Sequence, residues 1–322
     1  MRVAVVGAGK WGLQHARVFA SHPRVELCAI VGRTPEKTAA RAEQFGAHGY
    51  LNLEQMLQRE RPDLVSVCLP NQDHFGTTLA VIDAGCPLLV EKPLVFDLAE
   101  ADTLLERAAS RDLFFAINFN HRYARPLEMA RLALQRGDLG RVVYASWQFG
   151  GEGHSRHPYA NLIETQCHGF DALELLCGPI ASVAAEMADV ADNGYSSLVL
   201  ALRFESGAIG SLVGSYDASY AYPTAHRLEI NGTRGRIEVE GTVQRYCFQP
   251  RGDEVRQVWQ AGYFNDPDRE FHRTFDRHVD ALIDALERGE PPPIHAHAGR
   301  RALALAQAAI RSFQTGRRVE VN

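Results

Sequence analysis

A chain of 322 residues with 46% hydrophobic and 23% charged side chains has ordinary globular composition and is long enough for two cores. Its formal net charge of -5 supplies no basic surface for nucleic acid, and no apolar run approaches the eighteen residues of a membrane span. Cys28, Cys68, Cys86, Cys167, Cys177 and Cys247 are scattered without a C-x-x-C pair, and no basic leader with a cleavage site precedes Arg2, so a reducing cytoplasm is the expected compartment.

From Met1 to about Asn120 short apolar strands alternate with amphipathic helices, the signature of a doubly wound parallel sheet, hence an α/β Rossmann fold. Strands are predicted at 2–6, 25–31, 64–69, 87–90 and 114–118, and helices at 11–21, 35–45, 53–60, 74–84 and 97–110. Between the first strand and helix stands Gly7-Ala8-Gly9-Lys10-Trp11-Gly12. Gly7 allows a tight turn, Gly9 lets backbone amides approach a pyrophosphate, and Gly12 lets the helix lie close on the strand. Amides at the helix N-terminus then face the anion, with Lys10 and Trp11 beside it.

An NAD-preferring site places Asp or Glu at the end of the second strand to bond the ribose 2′-hydroxyl. This chain has Gly32-Arg33-Thr34 there and no carboxylate until Glu36. The guanidinium suits a 2′-phosphate, so NADP is favoured over NAD, although Arg33 can also stack on adenine or point to solvent. Pro70-Asn71 ends the next strand, where ligands of open parallel sheets bind, with His74 either beside the cofactor or packed at the start of its helix. Glu91-Lys92-Pro93 repeats this strand-end geometry, which makes Glu91 and Lys92 candidate cofactor-binding residues. Lys92 can hold a substrate hydroxyl, and Pro93 stiffens the tip with a bond of undetermined isomer.

A connector helix follows at about 125–140, and the pattern then changes to strands at 142–150, 196–205, 208–216, 227–231 and 235–240. Helices are predicted at 161–177, 270–288 and, after Pro291-Pro292-Pro293, 297–315. This describes an α+β domain on a large, mostly antiparallel open sheet, with the division at 1–122 and 123–322. A continuous helix over 161–177 places Glu164, His168 and Asp171 on one face, a tunable acid or base beside two carboxylates. Asn118, Asn120, His121 and Arg122 follow the last strand of the first domain and can either line a substrate cleft, with Asn120 and Arg122 as substrate ligands, or serve packing. Trp147 and Tyr159 can stack on a sugar face, and Gly150 to Tyr159, with His154 and His157, is read as a candidate substrate loop. No third ligand accompanies those histidines at metal spacing, so no metal is expected.

The ordered set Gly7-Gly9-Gly12, Pro70-Asn71 with His74, Glu91-Lys92-Pro93, Asn118-Phe119-Asn120-His121-Arg122 and His168-x-x-Asp171 resembles the glucose–fructose oxidoreductase, inositol dehydrogenase and MocA family. Phe204-Glu205-Ser206-Gly207, Glu229-Ile230-Asn231-Gly232-Thr233-Arg234-Gly235 and Ser312-x-x-Thr315-Gly316-Arg317 continue the likeness to the end. The resemblance implies a Rossmann domain, a second domain whose sheet forms a homodimer or homotetramer interface, and an active site in the cleft between them. It implies NAD(P)-dependent oxidation or reduction of one carbinol of a sugar, inositol or related polyol, with Lys92 and His168 at the reacting carbon. Family members carry Asp four residues before the histidine where this chain has Glu164, which displaces that carboxylate by about one methylene. Two alternatives share these residues: a catalytically silent dinucleotide-binding regulator or assembly subunit, and an enzyme using the nicotinamide transiently in glycoside cleavage or elimination.

Overall fold

The computed structural model describes residues 1–154, 157–223, 225–262 and 270–321. The chain divides into two compact units, one of Met1–Phe119 with Phe275–Arg301 and one of Asn120–Thr274 with Ala302–Asn322. The segment from Phe275 to Arg301, beyond the expected division at 122/123, returns to the first unit.

In the first unit β1 (Arg2–Val6), α1 (Lys10–Ser21), β2 (Glu26–Val31), α2 (Pro35–Phe45), β3 (His48–Tyr50), α3 (Leu53–Glu60), β4 (Leu64–Val67), α4 (His74–Asp83), β5 (Leu88–Val90), α5 (Leu98–Ala109) and β6 (Phe115–Ile117) alternate. The strands pair in parallel in the order β3-β2-β1-β4-β5-β6. Val3, Val5, Leu64, Val65, Val67, Leu88 and Val90 are fully buried, as strands covered on both faces must be. Local chemistry sets the helix ends. Asn52 caps α3 by accepting from Gln55 N at 2.8 Å, Asp97 caps α5 through the amides of Ala99 and Glu100, and Gly46, at φ 66°, closes α2. The order reverses between β1 and β4, which opens a crevice at their carboxyl ends.

The returning segment is held by charge and by ring packing. Helix α8 (Arg273–Glu287) sets Asp276, Asp280 and Asp284 four residues apart, and these meet Arg17 at 2.8 Å, His22 at 3.3 Å and Arg24 at 2.5 Å. Phe275 stacks on Trp11 and meets His15 edge-on. Ile117 N then donates to Ile294 O and Ala296 N to Phe115 O, so the residues after Pro291-Pro292-Pro293 extend along β6.

The second unit carries α6 (Arg125–Gln135), β7 (Val142–Gly150), α7 (Cys167–Cys177), β8 (Ile180–Ala188), β9 (Ser197–Phe204), β10 (Ile209–Ser215), β11 (His226–Gly232), β12 (Gly235–Glu240), β13 (Arg245–Pro250), β14 (Gln257–Gln260) and β15 (Val319–Glu320). The sheet order is β14-β13-β12-β11-β7-β10-β9-β8-β15, antiparallel throughout except where β10 runs parallel to β7. Burial alternates along β9, β11 and β12, so one face of the sheet is core and α6 and α7 pack on it. Helix α9 (His297–Thr315) begins in the first unit and ends in the second. The α/β and α+β classes are those expected from the sequence.

His226, the first residue of β11, sits in that core with ring centroids 4.5 Å from Trp147 and 4.8 Å from Phe149. Its Nδ1 shares a hydrogen bond with the Thr242 hydroxyl, and burial pulls the imidazole down to about 3. The folded chain therefore binds this proton less readily than the unfolded chain, whose histidine titrates at about 6.5. Stability from this group is complete above the unfolded value and is lost as pH falls from about 6.5 toward 3. Urea melts of wild type and His226→Phe should show that, between pH 7 and pH 5, wild type loses about 2 kcal/mol more than the variant. Equal losses would contradict the assignment.

Candidate active site

The glycine turn is built by steric necessity. Gly7 adopts φ +136°, and a Cβ there would stand 2.3 Å from Cys68 O. A Cβ on Gly12 would lie 1.8 Å from Gly7 O, so only glycine lets α1 leave β1 this closely. Gly9, the N-cap of α1, differs: nothing lies within 4 Å of its Cβ position. It borders a cavity of about 530 Å³ lined also by Lys10, Trp11, Gly32, Arg33, Thr34, Lys37 and Cys68 through Asn71. Helix α1 has no acid in its first turn and no side-chain cap among the described residues, which leaves its leading amides able to receive an anion. Open space at Gly9, uncapped amides and three basic side chains fit the diphosphate of a dinucleotide. Burial lifts the Cys68 thiol well above its ordinary range, so the cysteine in this wall is inert.

At the rim, Trp11 lies against Phe275 with part of its ring exposed, and Thr34 caps α2 by position, its carbonyl accepting from the Thr38 hydroxyl at 2.8 Å. Arg33 is exposed and paired with Asp73 at 3.1 Å. His74 corrects an expectation. It is fully buried, its Nδ1 lying 2.8 Å from Pro93 O and its Nε2 3.0 Å from Leu69 O. Both ring nitrogens are engaged by protein, so His74 ties two strand tips together and does not face a cofactor.

The Glu91-Lys92-Pro93 tip rests on a buried polar chain, and its Lys92–Pro93 bond is cis. Glu91 Oε1 meets His15 Nε2 at 2.7 Å and accepts from Asn118 Nδ2 at 2.6 Å, while Oε2 accepts from Lys92 N at 3.1 Å. His15 Nδ1 continues to Ser66 Oγ at 2.8 Å, and Asn118 Oδ1 to His278 Nδ1 at 2.8 Å. Burial pushes the Glu91 carboxyl up, but the His15 bond and charge, the Lys92 charge and the Asn118 bond outweigh it and hold the group below its ordinary value. Glu91, expected at the cofactor, instead lies under the tip as a saturated carboxylate, and the half-buried Lys92 is presented just beyond it. The roles of His15 and His278 have no sequence signal, since each is a lone histidine in an amphipathic helix.

In the second unit the predicted helix over 161–177 is not continuous. Asn161–Thr165 forms a wide π turn, closed by Gln166 N donating to Asn161 O at 2.9 Å, and α7 starts at Cys167. Such turns insert a residue into the helical period and recur at functional sites. Glu164 therefore falls out of register with His168 and Asp171, which stay three residues apart on α7. Asp171 is taken by Arg122, which donates to it twice, at 2.8 and 2.5 Å. Burial pulls that guanidinium down, but the paired bonds and charge of Asp171 raise it above its ordinary value. Arg122 is thus an anchor in place of a substrate ligand. Asn120 is likewise buried, donating to Thr274 Oγ1 at 2.6 Å.

His168, in the first turn of α7, stacks on His121 with centroids 3.8 Å apart and planes 6° from parallel. Trp147 is fully buried, its Nε1 donating to Gln166 Oε1 at 3.2 Å, and a Cβ on Gly169 would lie 2.6 Å from that nitrogen. It cannot stack on a sugar; it is the floor on which α7 lies. Tyr159 stacks on Tyr195 at 5.3 Å and its hydroxyl accepts from Gln314 at 3.4 Å, which covers one ring face. His154 Nδ1 lies 2.9 Å from Asn193 Oδ1, and Ser155 and Arg156 of the expected substrate loop lie outside the described residues. Among the described residues no three His, Cys, Asp or Glu side chains converge as a metal site, and no helix is long and apolar enough to cross a membrane.

Residues 1–119 match the NAD-binding Rossmann fold of an oxidoreductase family, and residues 132–321 match that family's C-terminal alpha/beta domain. The myo-inositol 2-dehydrogenase of Thermotoga maritima is 24% identical over all of this chain and 98% of its own length. The inositol 2-dehydrogenase of Rhizobium meliloti is 24% identical over the whole chain and 99% of its own. Among solved structures, a levoglucosan dehydrogenase in complex with NADH and levoglucosan superposes with a TM-score of 0.89 at 18% identity, over 100% of this chain and 99% of its own, a likeness of fold. The chain belongs to the Gfo/Idh/MocA oxidoreductase family.

Proposed function

We propose that the protein is an NAD(P)-dependent dehydrogenase or reductase that interconverts one carbinol and carbonyl of a sugar, inositol or related polyol. The carrying observation is the pairing, in one unit, of an anion-ready glycine turn with a lysine mounted on a saturated buried carboxylate. The inositol dehydrogenases among the relatives support the substrate class. Gly7, Gly9, Gly12 and the α1 amides would hold the diphosphate, Pro70 and Asn71 the ribose side, and Arg33 with Lys37 a 2′-phosphate, which favours NADP. Bound nicotinamide supplies the hydride acceptor or donor.

His168 takes the hydroxyl proton as general base and returns it in reduction, while the Lys92 ammonium stabilises the alkoxide that develops. Glu164 and Tyr159 remain candidate substrate contacts, and no metal is needed. Lys92→Ala and His168→Ala should each lower kcat on a polyol that wild type oxidises by about 100-fold or more, with the Kd for NAD(P)H within about threefold of wild type. Unchanged turnover in either variant would remove that residue from the chemistry, and product formed without net cofactor reduction would favour transient use of the nicotinamide.

The open face of the second-unit sheet supports a homodimer or homotetramer. Tyr144 pairs in register with Ile209, and Val199 with Val213, so four exposed apolar side chains lie together on β7, β10 and β9. Arg227, Arg236, Glu229 and Glu238 form a charged lattice beside them. The six cysteines are buried thiols outside any disulfide, in keeping with a reducing cytoplasm, which cell fractionation can check. Ile209→Lys should shift the mass in light scattering from oligomer toward monomer; a wild-type monomer, or an unmoved variant, would contradict this interface.

A further inference from the structure

No carboxylate stands in Gly32-Arg33-Thr34 directly after β2, yet the fold brings one beside Arg33 from another loop. Arg33 Nη1 lies 3.1 Å from Asp73 Oδ2, and Asp73 ends the short turn Asn71–Asp73 between β4 and α4, across the point where the strand order reverses. The pair stands where two cavities of the first unit adjoin. One is the space of about 530 Å³ under the glycine turn, and the other, of about 450 Å³, has apolar walls at Val31, Leu51, Leu53 and Leu69. Gly32, Arg33 and Leu69 border both, and Asp73 borders the second. Both side chains are substantially exposed, 73% for Arg33 and 43% for Asp73, so the pair is held weakly and an incoming anion can displace it.

We propose that Asp73 is a specificity-determining residue, setting how strongly the site prefers NADP over NAD. A 2′-phosphate bound at Arg33 must displace the Asp73 carboxylate and then lie beside it, two anions on one guanidinium, which weakens NADP binding. A bare 2′-hydroxyl meets no such repulsion and finds in Asp73 the acceptor that NAD-preferring sites carry on the second strand. Arg33 and Asp73 thus pull in opposite directions, and the balance is set across the crevice, with Lys37 as a further cation on the phosphate side.

The proposal rests on the dinucleotide site assigned above, and the test separates the two. Fluorescence titrations give Kd for NADPH and NADH with wild type, Asp73→Asn, Arg33→Ala and the double variant, which needs no substrate. Asp73→Asn should raise the preference for NADPH over NADH by about five- to tenfold, and Arg33→Ala should lower it by about tenfold. In the Arg33→Ala background Asp73→Asn should still raise the preference for NADPH, but by less than in wild type, since the ion pair that the phosphate has to displace is gone while the carboxylate's repulsion of the phosphate and its bond to a 2′-hydroxyl remain. Dinucleotide binding with a ratio unmoved by Asp73→Asn, or moved toward NADH, overturns the proposal alone. Failure of wild type to bind either cofactor overturns the site and the proposal together.

Discussion

A buried carboxylate has to be paired or it destabilises the fold, and the first unit is arranged around satisfying one. Glu91 takes hydrogen bonds from His15 on α1, from Asn118 just after β6 and from the amide of Lys92, and those partners are completed by Ser66 on β4 and His278 on α8. Three groups therefore meet at this side chain, and through two of them β4 and α8 are tied in. A polar network with its bonds made is rigid, because any rotation strands a buried donor or acceptor. Lys92 is the next residue in the chain, and His74 fixes the far side of the tip by reaching Pro93 O and Leu69 O. The backbone that carries the lysine is therefore held from both sides.

The second unit uses the same device with different groups. The Arg122–Asp171 pair joins the turn that opens the unit to α7, and His121, one residue before that arginine, lies flat on His168. Below them Trp147 and Gly169 let α7 sit close on β7, while the π turn ahead of it rotates Glu164 out of the helical register. In each unit the residue assigned to chemistry is the neighbour of one committed to structure. This explains why several polar residues that read as ligands turn out to be anchors: a substrate-facing group and its support share a motif.

Much of this was legible from the chain. The short apolar run and the 3.6-residue period located β1 and α2 to the residue, and the glycine spacing was readable because steric exclusion at Gly7 and Gly12 leaves no other choice. Strands β3, β14 and β15 were not, since two to four residues at or near a sheet edge carry too little pattern, and β8 hid behind its alanines. Also illegible were contacts between residues far apart in sequence. His15 with Glu91, Asn118 with His278 and Arg33 with Asp73 are set by strand order, which no local window contains. Trp147 and Arg122 read wrongly for the opposite reason: their chemistry suits a sugar, and only the burial of one and the Asp171 pairing of the other show it already spent.

The most direct test of this account is Glu91→Gln, which keeps the shape of the side chain and removes its charge. With the Kd for NAD(P)H measured by fluorescence and kcat measured on a polyol that wild type oxidises, the account predicts a fall in kcat of about 10- to 100-fold with cofactor affinity nearly unchanged and a folded thermal transition retained. Turnover equal to wild type would contradict it, because the network would then support the fold without positioning the lysine.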